Sequence, residues 1–147
     1  MDVEDLQQHL MTLESQPGEA LFKKVGVELD VKDALDVSLQ SHQSPAAFVV
    51  LLNTRPSSTV AGNTVNAPLR QKEDKVFGVI IAVRKANTRA ISFTQIREQV
   101  INRLFGWKPE SSNYEVLRMA GGNMLSVKNG VCWIEKFTTH NYRRSVN

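Results

Sequence analysis

The sequence predicts an α+β fold: a mainly antiparallel β-sheet packed against a long helix at about residues 92–105, with two shorter helices N-terminal to it. Three observations lead there. The stretch Ile91–Pro109, ISFTQIREQVINRLFGWKP, carries a helix start signal, an apolar face and a stop signal. Two apolar runs, Ala46–Leu52 (AAFVVLL) and Lys75–Arg84 (KVFGVIIAVR), are short, bounded by polar sequence and rich in β-branched residues, as buried strands are. Asn129-Gly130 marks a hairpin, because both residue types tolerate positive φ.

In chain order, Asp2 suits a helix N-cap, and Val3, Leu6, Leu10 and Leu13 make a narrow apolar stripe that stops before Pro17-Gly18. Leu21–Leu29, LFKKVGVEL, partly alternates apolar with charged residues and predicts a half-buried strand weakened at Gly26. Asp30 caps a second helix, roughly Val31 to Leu39, with Val31, Ala34, Leu35 and Ser38 as its inward positions. Four acids, Asp2, Asp5, Asp30 and Asp33, thus sit near two helix starts, where they complement the macrodipole.

Ser44-Pro45 ends the second helix, and Ala46–Leu52 follows as a central strand. From Asn53 to about Asp74 the chain turns polar, with Pro56, Gly62 and Pro68 and no useful periodicity. This predicts a long, exposed, flexible loop at about 53–74, in which Arg55, Arg70 and Lys72 are candidate contact residues. Lys75–Arg84 is the strand expected beside Ala46–Leu52, and Lys85–Ala90 turns the chain into the organising helix.

In that helix Ser92 and Gln95 form a capping box, over which Ile91 and Ile96 can close as a hydrophobic staple. Phe93, Ile96, Val100, Ile101 and Leu104 share one stripe, while Arg97, Glu98, Asn102 and Arg103 fall mainly on the other side. Gly106 suits the left-handed C-terminal position and Pro109 cannot prolong the helix, so Trp107 is held just beyond its end. Tyr114–Ala120, a Gly121-Gly122 turn, Asn123–Lys128 and Val131–Phe137 complete the sheet. Alternation places Val131, Trp133 and Phe137 on one face of the last strand and Cys132, Ile134 and Lys136 on the other. The length of 147 residues fits a single domain, 1–147.

The formal net charge of +3 is unevenly distributed. Met1–Ser44 holds three Lys against nine Asp or Glu, and Pro45–Asn147 holds fifteen Lys or Arg against six acids, so the halves carry −6 and +9. A basic half suits nucleic acid, since phosphate contacts dominate such affinity. It suits equally well a contact between the acidic part of one copy and the basic part of the next. The single cysteine, Cys132, excludes an internal disulfide and a multi-cysteine zinc site. No apolar run approaches the length of a bilayer span, so no membrane association is expected. The acidic N-terminus lacks the order of a signal peptide, which points to a reducing cytosol or a particle assembled there.

No catalytic constellation emerges. His9, His42 and His140 are scattered without ligand spacing, so no metal is expected. Cys132, beside Trp133, reads as a small buried hydrophobe, and Gly121-Gly122 lacks both the Lys-Ser/Thr of a P-loop and the spacing of a dinucleotide fingerprint. Asp33, Asp36, Glu98 and Glu135 form no acid/base pair, so neither an enzyme nor a cofactor is expected. Near the C-terminus Phe137, His140 and Tyr142 interleave with Lys136, Arg143 and Arg144, a mixture of planes and cations that a single nucleic-acid strand could use.

The ordered features resemble the tail terminator, or tail completion, proteins of long-tailed bacteriophages and prophages. The matching residues are an apolar strand after a proline, PAAFVVLL, a long polar loop, VFGVIIAV, the helix ending RLFGWKP, and the closing pattern YEVLRMAGGNMLSVKNGVCWIEKF. The resemblance implies a non-enzymatic virion protein, assembled in the bacterial host cytoplasm. Its copies would form a ring, typically hexameric, on the head-proximal end of the tail tube, ending polymerisation and offering a surface for head–tail joining. The implied partners are other copies of the chain, the tail tube protein and the neck or connector protein. DNA would pass through the channel without sequence-specific binding. Candidate subunit or tube contacts are Arg55, Arg70, Lys72, Arg97, Arg103, Arg143 and Arg144, with Arg97 and Arg103 facing tube or channel. A head–tail connector or minor tail protein is the nearest alternative, and a small nucleic-acid-binding module the alternative from another class.

Overall fold

A computed structural model describes residues 1–40, 44–60, 70–84, 92–127 and 130–144. Its elements are α1 (Val3–Leu10), β1 (Glu14–Gln16), β2 (Glu19–Ala20), β3 (Lys24–Val27), α2 (Val31–Gln40), β4 (Ala46–Val60), β5 (Arg70–Arg84), α3 (Phe93–Leu104), β6 (Arg118–Ser126) and β7 (Gly130–Arg144). Five strands form one sheet in the order β3-β4-β5-β7-β6, while β1 and β2 pair as a separate ribbon. Only β3 and β4 run parallel, joined through α2; the other neighbours are antiparallel, giving the expected α+β class.

The sheet is covered on both faces. On the first, Leu6 and Leu10 of α1 and Ile96, Val100, Ile101 and Leu104 of α3 pack on Val49, Phe77, Val79, Ile81 and Phe137. On the second, Ala34 of α2 covers Phe48, Val50, Ile80, Cys132 and Ile134, with Val31 and Leu35 partly buried beside it. The alternation expected in the last strand is therefore present, Phe137 on one face and Cys132 and Ile134 on the other. Ser38, an expected inward residue, has a side chain outside the description.

The N-terminal ends of the helices are those expected. Asp2 and Asp5 form a reciprocal capping box on α1, Asp30 Oδ1 accepts from the Asp33 N–H at the start of α2, and Ser92 and Gln95 form the box on α3. Ile91 of the expected staple lies outside the described residues.

Four expectations need correction. The organising helix is not long: α3 has 12 residues, because the chain leaves helical geometry at Phe105 and turns through Gly106 at φ 80°. The long elements are instead β4, β5 and β7, each of 15 residues and thus about 50 Å from end to end.

The segment 53–74, expected as a loop, is strand over Asn53–Val60 and Arg70–Asp74, and 61–69 lie outside the described residues. The pairs run from Asn53↔Val76 to Val60↔Arg70, with a bulge at Pro56/Ser58, and Pro56 lies where, among the described residues, β5 is the only strand paired with β4. This stretch extends past the helices and has no core to bury, so the apolar alternation that announces a strand never appears.

Gly121-Gly122 is a bulge inside β6 rather than a turn. The register jumps from Met119↔Phe137 to Gly122↔Glu135, with Gly121 at φ 96°. Finally, the strand expected at Leu21–Leu29 shortens to Lys24–Val27. Leu21 and Phe22 are buried outside any strand, and the β1–β2 ribbon around Gly18 had no counterpart in the sequence reading.

Candidate interaction surfaces

Beyond the helices, β4, β5 and β7 continue as a three-stranded arm made of Asn53–Val60, Arg70–Lys75 and Thr139–Arg144. Alternation sorts its side chains. Glu73, Lys75 and Arg143 lie on the α1/α3 face, and Arg55, Arg70, Lys72, Asp74, His140 and Tyr142 on the α2 face.

The α1/α3 face of the arm is clamped at its foot. Arg143 Nε and the Tyr114 hydroxyl both donate to the Glu73 carboxylate, the latter at 2.9 Å, and Lys75 Nζ donates to the Met1 carbonyl at 2.8 Å while lying 4.7 Å from the centre of the Tyr114 ring. Burial works to raise the Glu73 pKa, but hydrogen bonds from Arg143 and Tyr114 outweigh it and hold the carboxyl below its usual value. The same carboxylate raises the Tyr114 pKa, after burial, and that of the exposed Arg143. Glu115 fastens the connector to β7 at two points: its N–H donates to the His140 carbonyl at 2.9 Å, and its own carbonyl accepts from the Thr139 hydroxyl.

On the opposite face the described contacts run within the arm itself. Arg70 lies 5.0 Å over the Tyr142 ring, His140 meets Tyr142 edge-on, and Lys72 stands 3.8 Å from Asp74. Arg55 is exposed. Arg70 Nε is buried with no hydrogen-bond partner, which leaves a donor desolvated and unanswered.

The register therefore unites Arg55, Arg70 and Lys72 on one face and sends Arg143 to the other. Arg144 pairs with Arg70 in the ladder, and its side chain is outside the description. The remaining two candidates lie elsewhere. Arg97 is turned inward from α3: its Nε donates to Glu135 Oε2 at 2.8 Å and its terminal nitrogen to Oε1 at 3.2 Å. Trp133 Nε1 donates to the same Oε2 at 2.7 Å, and the guanidinium lies over the Trp133 ring. The Glu135 carboxylate, chiefly through its hydrogen bonds, raises the Arg97 pKa. Arg103 donates to the Thr12 hydroxyl at 2.7 Å and joins the C-terminal ends of α3 and α1.

Beside Arg103, the rings of His9 and Trp107 stack at 3.9 Å and 7°. Burial, then the charge of Arg103, lowers the His9 pKa. Asp5, Gln8, Thr12 and Pro109 complete an open groove around the stack.

Sequence reasoning missed Glu73, Tyr114 and Glu135 as partners. Glu135 had a usable signal: it is the lone acid in the apolar strand VCWIEKF, and an acid buried there requires a cation from the covering helix.

Among the described residues no group of His, Cys, Asp or Glu could hold a metal ion. Among curated proteins none matches the chain. The chain belongs to the phage tail terminator family, whose model, described as phage tail terminator protein, matches residues 2–147. The family is one of structural proteins, which makes this chain a structural component of a phage tail and hence of the virion. No helix among the described residues is long and apolar enough to cross a membrane.

Proposed function

We propose that copies of this chain close into a ring, hexameric in the assembled tail, on the head-proximal end of the tail tube. There the ring ends polymerisation of the tube protein and offers the surface to which the neck of the filled capsid joins. DNA passes through its channel without sequence-specific contacts, and the protein performs no catalysis. Family membership over essentially the whole chain carries this reading. The arm supports it, because a projecting three-stranded ribbon that gathers Arg55, Arg70 and Lys72 on one face suits contact with another protein.

Negative-stain imaging of tails assembled with and without the protein tests the reading. Tails of uniform length ending in a ring, replaced by overlong tubes when the protein is withheld, are the expected result. Normal tails in its absence, with the protein located on capsid necks, would make it a connector instead.

A further inference from the structure

We infer that the Arg70 and Tyr142 face of the arm docks on the acidic α2 side of a second copy, so that Arg55, Arg70 and Lys72 of one chain meet Asp30, Asp33 and Asp36 of the next. This rests on the reading that copies of the chain assemble with one another, and it says which surfaces meet.

Three observations carry it. The first is complementary charge. The arm face holds Arg55, Arg70 and Lys72 against the single acid Asp74, whereas Glu28–Asp36 holds Glu28, Asp30, Asp33 and Asp36 against the single base Lys32. Asp30, Asp33 and Asp36 are exposed, and the ion pairs among the described residues involve none of them.

The second is the buried, unpartnered Arg70 Nε. The Tyr142 ring lies against the guanidinium, and an incoming carboxylate would supply the missing acceptor.

The third is geometry. α2 starts just after β3, whose last residue, Val27, pairs with Val49, and then runs back towards the start of β4 at Ala46. The arm runs the opposite way, from Asn53 outward, on strands whose β5–β7 ladder is unbroken. The two surfaces lie on the same side of the sheet, with α2 running back from the level at which the arm begins. A head-to-tail arrangement would set the arm of one copy on α2 of the next, the kind of contact a closed ring requires.

Extension of the sheet from copy to copy through β4 or β6 is disfavoured. β4 carries register shifts at Leu51/Asn53 and Pro56/Ser58, and β6 carries them at Met119/Gly122 and Met124/Ser126, so these two edges are broken by bulges.

The test uses two one-sided charge reversals in the full chain. One variant carries Arg55→Glu and Lys72→Glu, the other Asp33→Lys and Asp36→Lys; all four positions are surface residues, and unchanged thermal melts verify the fold. Sedimentation velocity of wild type, of each variant, of their equimolar mixture and of the fourfold variant, alone and with purified tail tubes, is the readout. Each one-sided variant is expected to associate at least tenfold more weakly than wild type, while the mixture and the fourfold variant recover assembly. Assembly of both one-sided variants as tight as wild type would overturn this interface and leave the ring reading standing. No assembly of wild type under either condition would overturn both. If instead the arm reversal abolished a salt-dependent affinity for DNA and left assembly unchanged, the arm would be a nucleic-acid surface and the docking would be rejected.

Discussion

Arg97 and Glu135 meet across the seam between α3 and β7, where a guanidinium that still reaches solvent neutralises a carboxylate with no exposure at all. The pair ties the helix to the sheet, and Trp133 completes the shell around the acid. A residue on the polar side of a helix has thus been spent inside the protein.

Removing one partner should be costly, because it leaves a buried charge or a hole in its hydrogen bonding. Arg97→Ala is expected to destabilise the fold by about 3 kcal/mol, the lower end for a broken buried pair since Arg97 is partly exposed. Replacing both by apolar residues, Arg97→Met with Glu135→Leu, should recover most of that loss. Urea denaturation of the single and double variants measures the difference, and equal losses in both would show that the pair is not the source.

The bulge in β6 makes room for this shell. A Cβ on Gly122 would stand 2.7 Å from Glu135 Oε2, 2.8 Å from Trp133 Nε1 and 2.9 Å from the Ile134 carbonyl, whereas one on Gly121 meets nothing within 4 Å. Gly122→Ala should therefore cost about 1–3 kcal/mol through overpacking. Gly121→Ala, strained only by its φ of 96°, should cost about 1 kcal/mol. Thermal melts of the two variants side by side rank them, and the reverse order would contradict this account of the bulge.

His9 supplies a pH dependence. Its pKa in the folded chain lies below the ordinary 6.5, so over the interval between the two values the unfolded chain binds more protons and stability falls as pH falls. The loss begins near pH 7, grows as the solution is acidified through 6.5, and is complete below the folded value. His9→Phe, which keeps a ring against Trp107 but cannot titrate, should flatten the melting temperature between pH 7 and the onset of carboxylate protonation. A slope identical to that of wild type would assign the dependence to another group.

The arm should loosen when its clamp is cut. Tyr114→Phe deletes the hydroxyl that donates to Glu73 and is expected to cost about 0.5–1.5 kcal/mol. Hydrogen exchange should quicken at Arg70–Lys75 and Thr139–Tyr142 while Val79–Ile81 stays protected. Uniform acceleration across the sheet would mean that Tyr114 stabilises the whole fold rather than its projection.

What was legible in the sequence is what a core imprints on it. Leu6, Leu10, Ile96, Val100, Val49 and Val79 recur at the spacing of the face they bury, and the caps at Asp2, Asp30 and Ser92 are local chemistry that needs no tertiary context. The arm was illegible because water meets much of it on both faces. Residues such as Arg55, Pro56 and Lys72 look like loop, and only the pairing with β5 and β7 makes them strand. The candidate cations were found as types, but their fates depended on register. Neighbouring positions separate Arg143, paired with Glu73, from Tyr142 on the opposite face.

The ladder between β5 and β7 runs without a shift from Arg84↔Gly130 under the helices to Arg70↔Arg144 on the arm, whereas β4 is notched at Leu51/Asn53, close to where the cover ends. In mechanical terms the projection is a beam with a stiff web along two strands and a joint cut into its outer flange. A load at the tip would bend it preferentially at that notch, and torque would pass through the web to the seat of α3, so whatever grips the far end also pulls on the protein's centre.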